Sequence, residues 1–147
     1  MLPLDLERTT YSYVERPNTT LISLLTEHVI AGNPRARVLD VGCGAGANAR
    51  SVVQASPGVR FVGVEPNQRA AELASEVIED VFHGVVEDWL ETGPTQTFDA
   101  IILSDVLEHV ADPVKFLRTL LAFEGLSRAT WIMPLRSASL MFGTTSP

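Results

Sequence analysis

The residues of this chain with the means to do chemistry gather in four short stretches. The first is Asp40-Val41-Gly42-Cys43-Gly44-Ala45-Gly46, an acid followed by three alternating glycines. The second is Glu65-Pro66-Asn67, whose carboxylate comes 19 residues after Gly46. The third is Val85-Val86-Glu87-Asp88-Trp89, and the fourth runs from Ser104-Asp105-Val106 to Glu108-His109. Glycine admits φ > 0 and lets a ligand approach the backbone with no Cβ in the way. A carboxylate at such a distance beyond a glycine turn can accept both hydroxyls of a ribose. A histidine can take a proton near neutral pH, so His109 can serve as a base toward an oxygen or nitrogen. Equally, Glu108-His109 can simply pack or cap the turn ahead of Asp112-Pro113. Cys43 reads as a small packed residue of the glycine turn rather than as a nucleophile.

The elements that must position these groups alternate along the chain. Val38-Leu39-Asp40-Val41 is a short apolar run of the kind buried on both faces of a parallel sheet. A helix-compatible segment follows Gly46, so strand, glycine turn and helix N-terminus make a ready site for a nucleotide-like ligand. Before it, Asn18 can cap a helix whose inner face holds Leu21, Leu24, Leu25, His28 and Val29, with His28 as a packed histidine. Gly32-Asn33-Pro34 ends that helix. Val59 to Val64 is a second strand, and Asn67 caps a helix with Ala70, Ala71, Leu73, Ala74, Val77 and Ile78 as its inner stripe. Residues 80–84 form a third strand, from which residues 85–90 lead into a loop. Residues 98–103 are the fourth strand. Asp112-Pro113 opens a helix that turns Val114, Leu117, Leu120 and Leu121 inward. A fifth strand around residues 129–133 ends at Pro134, and the tail to Pro147 is weakly patterned. Tyr11 and Tyr13 read as packing residues of an N-terminal arm.

Strands alternating with helices over short turns imply an α/β fold with a Rossmann-like, doubly wound parallel sheet and helices on both faces. The 147 residues suffice for one domain with a sizeable core, so the whole chain, 1–147, reads as a single domain. A net charge of −7 and the lack of any Lys/Arg cluster argue against a grip on nucleic-acid phosphates. The single cysteine allows no internal disulfide and no structural zinc site, which suits a reducing compartment, most simply the cytoplasm. No apolar run reaches the roughly 18 residues of a membrane span, so no membrane partner is expected. No metal site is expected either.

In an open α/β sheet, ligands bind beyond the carboxyl ends of the strands, and acids collect there in this chain. The spacing Gly42-Gly44-Ala47 also satisfies the dinucleotide pattern of a nicotinamide-dependent oxidoreductase. Asp40 tips the choice, because a carboxylate beside a pyrophosphate is electrostatically unfavourable. S-adenosylmethionine carries an ammonium and a sulfonium and no phosphate, so an acid-lined, glycine-floored pocket suits it better.

Val-Leu-Asp-Val-Gly-Cys-Gly-Ala-Gly, then Gly-Val-Glu-Pro-Asn, then Phe-Asp-Ala-Ile-Ile-Leu-Ser-Asp-Val-Leu-Glu-His-Val-Ala-Asp-Pro, resemble in order the motifs of class I S-adenosylmethionine-dependent methyltransferases. The similarity is to the small-molecule branch with a Leu-Glu-His-Val motif, and it runs from about Arg16-Pro17 to Pro134. The resemblance implies that Asp40 and the backbone around Gly42, Cys43 and Gly44 hold the methionine end of the cofactor. It implies Glu65 on the ribose hydroxyls, with Pro66 and Asn67 beside the adenine. It places Ser104, Asp105 and Val106 near the transferable methyl, and S-adenosylhomocysteine as product. Where the family has an acid after the glycine of strand three, this chain has Val85. Val86 and Glu87, or Asp88, then stand beside the adenine, with Trp89 as an apolar wall.

Only 13 residues follow Pro134, so the sheet is expected to lack most or all of the C-terminal antiparallel strands of the fold resembled. The turn before strand five, usually Pro-Gly-Gly in that fold, reads Phe123-Glu124-Gly125. The expected function is methyl transfer to oxygen or nitrogen of a small-molecule acceptor. The alternative is a catalytically reduced S-adenosylmethionine-binding or assembly module, suggested by the short C-terminus. An incomplete sheet edge invites pairing with another chain, hence a homodimer or a separate partner.

Overall fold

The computed structural model describes residues 16–104, 106–134 and 139–143, with only the backbone described for Pro134 and for residues 139–143. Tyr11, Tyr13 and Asp105 lie outside the described residues. Asn18 caps α1 (Thr19–Leu25), its side-chain oxygen accepting from the Leu21 N–H at 3.0 Å. The chain then widens into a π turn, Thr26–Ile30, that buries Val29 and Ile30. The extra residue in that turn shifts the inner face by one position. His28, expected on the packed face, is therefore exposed, 3.9 Å from Glu27.

The strands β1 (Arg37–Val41), β2 (Arg60–Glu65), β3 (Asp80–His83), β4 (Ala100–Leu103) and β5 (Thr130–Pro134) form where the apolar runs predict them. α2 (Ala47–Ala55) follows the glycine turn, and α3 (Gln68–Ala74) starts at Asn67, whose side chain accepts from the Ala70 N–H at 2.9 Å. α3 stops at Ala74, short of Val77 and Ile78, although Ile78 still packs into the core. α4 (Val86–Glu91) occupies the stretch that leads from strand three into the loop, which lies at residues 92–97 as expected. Val86 and Trp89, three apart on one helical face, are both buried, and the packing of Trp89 against Phe98 and Phe123 holds a helix with no side-chain cap.

In α5 (Pro113–Leu121) the Asp112 cap is as expected, accepting from the Lys115 N–H at 3.0 Å. Its inner stripe is Phe116 and Leu120, with Leu117 partly buried, whereas Val114 and Leu121 are 58% and 61% exposed. The large ring of Phe116 sets the rotation of the helix and turns Val114 and Leu121, seven apart, toward solvent. The Phe123-Glu124-Gly125 turn closes as a 3₁₀ turn, Glu124–Leu126, with the Gly125 carbonyl accepting from the Phe98 N–H at 2.8 Å.

The sheet order is β3-β2-β1-β4-β5-β6, with β6 (Ser139–Gly143) antiparallel to β5 and every other pairing parallel. One antiparallel strand is thus present beyond Pro134. Alternate residues of the strands face opposite layers. Val38, Phe61, Ala100, Ile102 and Ile132 pack under α1, α2 and α3. Leu39, Val41, Val62, Val64, Ile101, Leu103 and Trp131 pack under α4 and α5. The chain reverses winding direction between β1 and β4, and a ligand crevice belongs at the carboxyl ends there.

Candidate functional site

The glycine turn leaves β1 at that switch point. Gly42 has φ +73°, and a Cβ there would sit 2.7 Å from Val106 Cγ2 and 3.1 Å from the Ser104 carbonyl. No side chain fits at this position, so the turn and the loop after β4 can close on one another. The Gly42 and Cys43 amides donate to the Val64 carbonyl at 2.8 and 3.2 Å, binding the turn to the end of β2.

Glu65 completes the support. Its Oε1 accepts from the Gly44 N–H at 2.9 Å, and its Oε2 accepts from the Asn67 N–H at 2.8 Å. The residue is only 8% exposed, and hydrogen bonds to a carboxylate in such a place are among the stronger ones. A carboxylate offers about four acceptor directions, so each oxygen keeps capacity for a further donor such as a hydroxyl.

Above this floor lies a cavity of about 510 Å³, within the range of small-molecule sites. Gly42, Cys43, Gly44, Glu65 and Pro66 line it, as do Val86, Glu87, Ser104, Val106 and His109. The sequence motifs, spread over four strand ends, therefore meet at one place. Asp40 is not on the wall: it is 1% exposed and stands on the sheet face covered by α1 and α2, behind the turn it precedes. Asn67 also stays off the wall, its side chain engaged in capping α3. Trp89, expected as a wall of the adenine pocket, belongs to the core instead, its ring edge-on to Phe98 and Phe123 at 6.1 and 5.6 Å. The helical geometry of α4 is the reason. It turns Val86 and Trp89 inward and leaves Glu87, not Asp88, at the cavity.

Cys43 packs against the sheet, where a Cβ at Gly63 would come within 2.8 Å of its Sγ. Sequence reasoning missed Arg16, Asn18, Asn48, Gly84, Val110 and Phe116, which also line the cavity. Only Gly84, directly after strand three, carried a signal, since a strand-end glycine before the acids marks close backbone approach. Arg16 and Asn18 reach the site through a contact 30 residues long, from the Asn18 N–H to Asn48 Oδ1 at 2.8 Å. Local pattern cannot announce such a contact.

A family model described as a methyltransferase domain matches residues 12–125. The chain belongs to the methyltransferase domain family. The match supports a class I S-adenosylmethionine-dependent methyltransferase. A ubiquinone biosynthesis O-methyltransferase of Methylocella silvestris is 36% identical to the methyltransferase domain over 88 residues, 56% of this chain and 33% of that protein. The enzyme of the same description from Xanthomonas oryzae pv. oryzae is 38% identical over 87 residues, 56% of this chain and 36% of that protein. The chain thus spans about a third of the length of the curated relatives it matches. Among solved structures, the plantazolicin methyltransferase BpumL in complex with SAH and a desmethylPZN analogue superposes with a TM-score of 0.67 at 16% identity, covering 86% of this chain and 50% of that one. A SAM-dependent methyltransferase from Archaeoglobus fulgidus superposes at 0.58 and 20% identity, covering 78% and 51%. These likenesses establish a Rossmann-like methyltransferase fold. Among the described residues, no helix is long and apolar enough to cross a membrane.

Proposed function

We propose that this domain binds S-adenosylmethionine across the carboxyl ends of β1, β2 and β4 and serves methyl transfer to an oxygen or nitrogen of a small-molecule acceptor. The observation that carries the reading is the Glu65 carboxylate, which holds the glycine turn and the head of α3 at the floor of a ligand-sized cavity. Its remaining acceptor directions suit a ribose diol. The backbone of Gly42, Cys43 and Gly44 would hold the methionine end, with Asp40 shaping the turn from behind. Pro66, Val86 and Glu87 would flank the adenine, and Asn67 would support them by fixing α3. Ser104 and Val106 would border the methyl side.

When bound, the cofactor supplies a methyl carbon activated by its sulfonium. The domain's own part is to align the acceptor in line with that carbon and keep it there, and well-oriented reactants can gain roughly 7–11 kcal/mol of the barrier. Val106, Val110 and Phe116 offer an apolar wall for the body of the acceptor. His109, on the same wall, would take the proton that the acceptor O–H or N–H releases as the new bond to carbon forms. Relatives named as ubiquinone biosynthesis O-methyltransferases support an oxygen acceptor. We place this work in the cytoplasm, a reading supported by the single cysteine, which allows no internal disulfide.

The test is formation of S-adenosylhomocysteine from S-adenosylmethionine with a panel of hydroxyl and amine acceptors, followed by chromatography. His109→Gln is expected to lower turnover by about 10²–10⁴-fold while leaving S-adenosylhomocysteine affinity unchanged. Undiminished turnover in that variant would remove the base from the mechanism. Failure of the wild-type chain to bind S-adenosylhomocysteine at millimolar concentration would reject the whole reading.

A further inference from the structure

A second crevice opens at the other end of the sheet, where β1 and β2 begin. It is a cleft of about 570 Å³ on the α2 and α3 side, within the range of small-molecule sites. Its floor is apolar: Val53 comes from α2, Phe61 from β2 and Ile78 from the turn after α3, and Phe61 and Ile78 are buried in the core of that face. Its charged side chains are Arg35, Arg60 and Glu79. Two guanidiniums thus stand against one carboxylate, in a chain whose net charge is −7. Arg60 Nη1 lies 3.3 Å from Glu79 Oε2, but both side chains are mostly exposed, and such a pair holds its partners weakly.

Among the described residues no carboxylate pairs with Arg35. The backbone that carries it is nevertheless fixed. Its N–H donates to Asn33 Oδ1 at 3.1 Å. Gly58 presses so close that a Cβ there would stand 2.6 Å from the Pro34 carbonyl oxygen and 3.6 Å from Arg35 Cγ. A guanidinium on a fixed stem, beside an apolar floor and unanswered by an acid, is set to receive an anion with a flat apolar body.

We propose that this cleft binds a small aryl carboxylate, with Arg35 and Arg60 on the anion and Val53, Phe61 and Ile78 against the ring. The planar fork of arginine matches a carboxylate with two parallel hydrogen bonds. The site shares α2 and β2 with the cofactor cavity but none of its lining residues, so it stands whether or not the cofactor reading does.

The experiment is calorimetric titration of the full chain with naphthoate, its neutral isostere naphthamide and inorganic phosphate, with amide resonances locating the bound probe. Naphthoate is expected to bind at least about tenfold more tightly than either of the others. It should shift the amides of Val53, Phe61 and Ile78 and leave those of Gly44 and Glu65 in place. Arg35→Met should remove the advantage over naphthamide, Arg60→Met should reduce it, and Arg35→Lys should restore part of it by returning the charge without the fork. Both arginines are exposed, so these variants are expected to keep the unfolding midpoint of the wild type. Parity of naphthoate with naphthamide or with phosphate on the wild type would overturn the proposal. So would undiminished naphthoate binding in Arg35→Met, shifts at Gly44 and Glu65 instead, or no binding at millimolar concentration.

Discussion

At Gly42 the sequence pattern and the packing make the same demand for different reasons. The turn requires φ +73°, and the space a Cβ would need is filled by Val106 and the Ser104 carbonyl. A left-handed conformation costs a non-glycine residue about 1–3 kcal/mol where the surroundings enforce it. Gly42→Ala is therefore expected to lose about 1–3 kcal/mol in urea unfolding. It is also expected to lose more than about tenfold in S-adenosylhomocysteine affinity, because the loop bearing Ser104 and Val106 must move. Gly93 is the matched control, with φ +72° and nothing within 4 Å of where a Cβ would stand. Gly93→Ala should cost stability through its backbone alone and leave ligand affinity as it was. Equal affinity losses in the two variants would show that strain, not the closure of the turn on the β4 loop, governs the site.

Among the elements, α5 is the one whose orientation the site depends on, since it presents Phe116 to the cavity. Hydrophobic spacing in its sequence fits two neighbouring stripes, one through Val114 and Leu121 and one through Phe116 and Leu120. Packing selects the second, leaving Leu120 with no exposed surface and Leu121 61% exposed. Truncating a fully buried leucine forfeits its burial and leaves a cavity, for about 2–5 kcal/mol. An exposed leucine away from special features matters by about 0.5 kcal/mol or less. Leu120→Ala should thus destabilise by about 2–5 kcal/mol and Leu121→Ala by under about 0.5, read from urea unfolding midpoints. Comparable effects would mean that the helix is rotated away from this packing. α4 is the complementary case: Val85 to Leu90 has no capping side chain to announce a helix, and the contact of Trp89 with Phe98 and Phe123 is what holds it.

At the scale of the molecule, the strand order among the described residues is an open sheet with β3 and β6 at its edges. An edge strand offers a row of backbone groups to any strand that can reach it. We expect the chain to associate through the β6 edge, as a dimer in light scattering at high concentration. A monomer at every concentration would count against it. The same strand order explains why residues as distant as Asp99 and Arg37 are joined, the Asp99 carboxylate accepting from the Arg37 N–H at 2.8 Å where β1 and β4 begin.

The amino-acid sequence alone determined the alternation of strands and helices, the helix starts at Asn18, Asn67 and Asp112, and the strand-end residues from which the cavity floor is built. Each of these follows from short-range rules: a cap bonds an amide three residues ahead, a buried strand is an apolar run, and a glycine turn needs glycine at fixed spacing. Tertiary structure decided which groups at those strand ends face a ligand. It turned Asp40 and Trp89 into the interior, kept Asn67 for its helix, and brought Arg16 and Phe116 to the cavity from opposite ends of the chain. The physical reason is that a side chain's direction depends on the phase of its element, and phase is set by packing against residues far away in sequence.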